Sequence, residues 1–183
     1  MSSLPEETLH PESLRRWSRL GDALGGTLTF RPRGLLAAEY SLVGRGGEEL
    51  GLLRMEGLRG AVFEAGEISA SIEATGEPGH RYRMVEGGSS ILVPGPAGDG
   101  VEEVHCLGKR YEVRSCLLRN RAVARASGGD AGSGEVRVRG GLASRGYEVA
   151  VPREEGAPAL PVAVFLVYRT AALRRRVYLA GRT

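Results

Sequence analysis

The feature that most constrains this chain is a rhythm of two. From Thr27 to Val151, short runs alternate apolar and polar residues, and glycine-rich punctuation separates them. Such runs suit strands with one face buried. The turns between them leave no room for intervening helices. Tyr40–Val43 and Leu50–Arg54 flank Gly44-Arg45-Gly46-Gly47. Ala61–Glu64 and Ile68–Ile72 flank Ala65-Gly66-Glu67, and Arg81–Val85 and Ser90–Val93 flank Glu86-Gly87-Gly88-Ser89. Val101–Leu107 and Arg110–Ser115 are set to flank a two-residue turn at Gly108-Lys109. With Thr27–Phe30, Arg121–Ser127, Glu135–Arg139 and Tyr147–Val151, eleven or twelve short strands are expected. A series of that length predicts a closed barrel or a sandwich.

Two segments depart from the rhythm. His10-Pro11-Glu12-Ser13 opens an amphipathic helix with Leu14, Trp17, Leu20 and Leu24 on one side and Arg15, Arg16 and Arg19 on the other. Gly25-Gly26 ends it. Its narrow apolar face favours packing over the barrel or plugging one end, rather than lying on a membrane. Near the C-terminus, Ala159–Tyr168 is apolar on every side. A helix of that kind must be buried. The β-branched content also permits a buried strand, which periodicity does not arbitrate; length, Pro161 in the first turn and Arg174-Arg175-Arg176 beyond favour a helix near 160–174. The expected domains are a leader with its helix over 1–26 and a barrel over 27–183.

A faint internal repeat accompanies the strands. Tyr40-Ser41-Leu42 precedes Gly51-Leu52-Leu53 much as Tyr111-Glu112-Val113 precedes Ala122-Val123-Ala124, and Arg81–Val85 is answered by Gly146–Ala150. Together with the Leu160–Tyr168 segment, this arrangement resembles the tubby C-terminal-like superfamily, especially its LURP-one-related and phospholipid-scramblase branches. The resemblance spans roughly Thr27 to Tyr178. It implies a mainly β fold: a closed antiparallel barrel of about twelve strands around a hydrophobic C-terminal helix. The alternating-Asp calcium segment of the scramblases is absent, because Asp occurs only at Asp22, Asp99 and Asp130. The scramblases' cysteine-rich tract is absent too, and the Lys/Arg pair of eukaryotic tubby proteins has no assignable position. What the resemblance implies is therefore a fold and not a site.

Chemistry is sparse. His10, His80 and His105 lie far apart, with no ligand-type spacing. His105 and Cys106 are strand neighbours and point to opposite faces, so they make no catalytic pair. Glu102-Glu103 and Glu154-Glu155 read as solvated charge, and no phosphate-loop motif occurs. Cys106 and Cys116 are the only cysteines, and a turn at Gly108-Lys109 would set Cys106 across from Tyr111, too far from Cys116 for a disulfide. No catalytic residue, metal site or cofactor is expected. The start lacks a secretory h-region and no run spans a bilayer, so a cytoplasmic location is expected.

The net charge is +3, and Lys109 is the only lysine, so nearly all positive charge is arginine. Codon bias accounts for this, as does selection for phosphate recognition by the planar guanidinium; composition does not separate the two. The leading expectation is a non-enzymatic binding or structural module that contacts anionic phospholipid headgroups as a peripheral protein. Arg81, Arg83, Lys109 and Arg110, set beside Tyr82 and Tyr111, are the candidate contacts. Nucleic acid is not expected. The rival is a ligand carrier or enzyme with a cavity inside the barrel, and what fills the barrel discriminates between them.

Overall fold

The computed structural model describes residues 11–34, 38–57, 59–75, 81–96, 101–116, 119–127, 134–141, 146–153 and 156–180, the last five by backbone only. The leader over 1–10, His80, most of the glycine run over 128–134 and Glu154-Glu155 lie outside the described residues.

Helix α1 (Pro11–Leu24) is followed by twelve strands: β1 (Thr27–Arg33), β2 (Glu39–Val43), β3 (Glu49–Glu56), β4 (Gly60–Ala65), β5 (Ile68–Thr75), β6 (Arg81–Glu86), β7 (Ser89–Pro94), β8 (Glu102–Cys106), β9 (Lys109–Cys116), β10 (Arg121–Ala126), β11 (Glu135–Gly140) and β12 (Tyr147–Ala150). Helix α2 (Ala159–Ala180) ends the chain's described part. Each strand pairs antiparallel with its neighbours in sequence, and β1 with β12 closes the barrel. Closure removes the sheet edges that would otherwise template association.

Alternation decides which side chains turn inward. Phe30, Leu42, Leu53, Phe63, Ile72 and Met84 come from the first six strands, and Leu92, Val104, Tyr111, Ala124, Val138 and Val149 from the last six; all are buried. The object they pack around is α2. Ala159 and every residue from Val162 to Tyr168 have no exposed surface. A run apolar on all sides finds apolar surroundings in the barrel, so the helix reading prevails over the strand. Pro161 sits in the first turn, where no intrahelical N–H is needed. The first charge is Arg169, whose guanidinium pairs with Glu102 on β8. Burial pushes the Glu102 carboxyl above its ordinary range, although Arg169 and Arg81 pull the other way.

Helix α1 closes one end. Trp17 stacks on Phe63 with ring centroids 5.6 Å apart. Its indole N–H donates to Glu86 Oε2 at 3.0 Å, and Arg16 Nε donates to Glu86 Oε1 at 2.8 Å. Glu86 is buried, and the two donors satisfy the carboxylate that burial would otherwise penalise. Gly25, in the left-handed region at φ 66°, terminates the helix. The rim under α1 is thus marked by Glu86 at the end of β6, and the far rim by Arg81 at its start.

Two expectations need correcting. The β8–β9 turn is Leu107-Gly108, both with positive φ (46° and 81°), rather than Gly108-Lys109. Cys106 therefore faces Lys109, and Tyr111 faces Val104. Two adjacent positive-φ residues suit the strand twist, and Gly in second position takes the more extreme angle. Both cysteines are free, Cys106 buried and Cys116 exposed. The repeat also fails to give one offset: Tyr40 and Tyr111 fall on β2 and β9, seven strands apart, whereas Tyr82 and Tyr147 fall on β6 and β12, six apart. A single duplication does not generate both.

Candidate functional site

The four arginine and lysine residues singled out in the sequence are not brought together. Arg81, at the far rim, donates to the Gly95 carbonyl. Arg83 bonds Glu73 through Nε at 3.0 Å and Nη2 at 2.9 Å. Lys109 lies at the β8–β9 turn on the α1 rim. Arg110 reaches Glu103 Oε1 at 3.7 Å, an oxygen that His105 Nε2 already holds at 2.8 Å. His105 points outward while Cys106 points into the core, as alternation requires.

The pairing of Arg83 is typical of the outer wall. Arg54 lies 3.4 Å from Glu39, Arg33 lies 3.2 Å from Glu49, and Arg125 and Arg137 both pair with Glu135. Hydrogen bonds from Arg83 and then Ser71 hold the Glu73 carboxyl below its usual range. Bonds from Arg125 and then Arg137 do the same for Glu135.

One region differs. At the far rim, β1, β10, β11 and β12 enclose a groove of about 760 Å³. Arg31, Arg119, Arg121 and Arg139 line it, with Glu148 as the one acid among its lining residues. None of these four guanidinium groups makes a hydrogen bond or ion pair with any described residue, and neither does the Glu148 carboxylate. Arg121 lies directly across from Arg139, and Arg139 directly across from Glu148. Four like charges held this close produce a local positive potential that counter-anions relieve.

Local sequence explains the geometry. Asn120, between Arg119 and Arg121, takes a left-handed φ of 48°, which Asn tolerates better than most residues. Its side chain is buried, which leaves the flanking arginines outside. Its carbonyl accepts from Gly140 N–H at 2.8 Å. A Cβ at residue 140 would turn inward onto the buried Asn120 Nδ2 at 1.9 Å and Tyr147 Cε1 at 2.9 Å, so packing behind the groove calls for glycine there. Gly141 and Gly146 also line the groove. The core helix supports it from inside: Arg174 Nη1 donates to the Gly141 carbonyl at 3.4 Å. Beside it, burial and then the neighbouring Tyr40 push the Tyr147 phenol far above its ordinary value, so it stays neutral.

A second cavity of about 380 Å³ lies at the opposite rim between α1 and the start of α2, lined by Trp17, Asp22, Gly26, Leu28, Arg153 and Leu160 among others. The interior itself holds α2. Among the described residues no group of three or more His, Cys, Asp or Glu is placed to hold a metal ion, and no helix is long and apolar enough to cross a membrane.

Sequence reasoning missed the groove. The available signal was arginine at alternate positions, Arg119 and Arg121 and again Arg137 and Arg139, next to glycine. In comparisons with known proteins, no family model, no curated protein and no solved structure matches the chain.

Proposed function

We propose that this barrel is a non-enzymatic module that binds anionic phospholipid headgroups in the far-rim groove, as a cytoplasmic protein peripheral to the membrane. The observation that carries the reading is the set of four guanidiniums with no partner among the described residues, around a groove lined by glycines, on a wall where Arg33, Arg54, Arg83, Arg125 and Arg137 are held by glutamates. Guanidinium forks match phosphate oxygens in geometry as well as charge. Gly141 and Gly146 in the lining let a headgroup approach the backbone there. The groove offers cations and one carboxylate but no nucleophile with a base, so binding fits it better than catalysis.

The resemblance to the tubby-like superfamily bears on the fold alone, a twelve-strand barrel around a C-terminal helix, and the groove carries the reading. Nucleic acid fits less well. Single strands need exposed aromatic platforms, and the aromatic residues lining the groove, Phe30 and Tyr147, are buried. An internal ligand cavity is disfavoured because α2 fills the interior.

The test is co-sedimentation of the full chain with vesicles of phosphatidylcholine alone or with added anionic lipid. Binding is expected only to the charged vesicles. Raising salt from about 0.05 M to about 0.5 M should weaken it by at least about tenfold, because exposed charges are screened. Equal binding to neutral vesicles, or indifference to salt, would overturn the headgroup mechanism.

A further inference from the structure

Wherever else the register sets an arginine across from a glutamate, that arginine ends on a carboxylate. Arg83 closes on Glu73, Arg54 on Glu39 and Arg125 on Glu135, each its direct cross-strand partner. Arg33, opposite Glu39, reaches Glu49 instead. Arg139 is the exception among the described residues: it lies opposite Glu148, yet its guanidinium ends on no carboxylate. Arg139 stands with Arg121 on its other side, and Glu148 is exposed. The groove therefore presents a free acceptor beside its free donors.

We propose that the groove selects a headgroup in which a positively charged hydrogen-bond donor accompanies the negative groups, that is, a headgroup of the phosphatidylserine class. The proposal rests on the reading of the groove as a headgroup site and names the ligand class for it. The phosphate and carboxylate of such a headgroup are met by Arg31, Arg119, Arg121 and Arg139 around the glycine-lined groove. The ammonium is met by Glu148.

The physical reason is desolvation. Pressing the groove against a bilayer removes water from Glu148 as well as from the arginines, and a carboxylate stripped of water without a partner opposes docking. A headgroup that is only anionic, such as that of phosphatidic acid, satisfies the guanidiniums and leaves Glu148 facing negative charge. A serine headgroup carries two anionic groups and one ammonium, and answers both signs present in the groove.

The experiment compares the full chain on two sets of vesicles in a phosphatidylcholine background. One contains phosphatidylserine and the other phosphatidic acid, adjusted to equal surface charge at the same salt. The native chain should bind the phosphatidylserine vesicles about three- to tenfold more tightly, the range of one ordinary net hydrogen bond. Glu148→Gln should make the two affinities equal, while Glu112→Gln, a wall carboxylate away from the groove, should leave the preference intact. Equal affinities in the native chain, or a preference that survives in Glu148→Gln, would overturn the inference. Salt-sensitive binding without preference sinks this inference alone, whereas binding to neither vesicle sinks the headgroup reading beneath it.

Discussion

The outer wall over β5–β6 and β10–β11 and the far-rim groove are built from the same material. Both are antiparallel strands with arginine at alternate outward positions. On the wall, Arg83 meets Glu73, and Arg125 and Arg137 meet Glu135. In the groove, Arg121 meets Arg139, and Arg139 and Glu148 stay apart. The difference lies in where each guanidinium ends: on a carboxylate along the wall, on none among the described residues in the groove. Exposed pairs on the wall add little stability individually, but they neutralise the surface locally. Unpaired arginines add no cross-strand attraction and repel each other, so they cost a little stability and leave a field that a ligand can use.

The comparison is sharpened first by disturbing what both regions share. Phe165, on α2, has no exposed surface and packs 6.4 Å from the Tyr82 ring. Phe165→Ala should cost about 3–5 kcal/mol of stability, measured by denaturant unfolding. Vesicle affinity of the folded fraction should be unchanged. A melting temperature within a degree or two of the native protein would mean that α2 does not carry the core.

Charge reversal then separates the regions. Arg121→Glu with Arg139→Glu should weaken binding to anionic vesicles by about a hundredfold, since each arginine near a charged surface contributes about 1 kcal/mol and each reversal adds repulsion. Arg83→Glu with Arg125→Glu should change it by less than about twofold, because those guanidiniums are already matched. Equal losses from the two double variants would erase the distinction between wall and groove.

The smallest effect is in pH dependence, and its sign differs between residues. The Glu73 and Glu135 carboxyls are held below their ordinary range in the folded state. Their contribution is present above that range and is lost as pH falls through the lowered values, so Arg83→Gln with Arg125→Gln should flatten the acid limb of a melting profile. Glu102 is raised instead. The stability linked to its proton is complete below the ordinary carboxylate range and is lost as pH rises through the raised value, so Glu102→Gln should remove a fall on the neutral side. Melting profiles that coincide with the native one would show that these carboxyls titrate alike in the folded and unfolded chain.

The legible part of this protein is the part governed by local period. Alternation in each segment identified the strands to within three residues at either end, because inward and outward positions are set by the pleat alone. The same local logic found α1 from its narrow stripe and α2 from its lack of one. Even the turn at Leu107-Gly108, misjudged by one residue, left every inward residue inward, since that shift moves a partner by two positions.

The candidate site was not legible, because pairing is not local. Arg83 and Glu73 are ten residues apart, as are Arg125 and Glu135, and Arg139 faces Glu148 only through the pairing of β11 with β12. Arg81, Arg83, Lys109 and Arg110 drew notice by standing beside tyrosines, yet those tyrosines turn into the core and the charges scatter from one rim to the other. Which residues alternate, and that an all-apolar segment must be enclosed, the sequence determined by itself, since both follow from the hydrophobicity of successive side chains. Which arginine meets a glutamate and which is left open to a ligand, only the tertiary structure decided, because register and barrel closure set those distances.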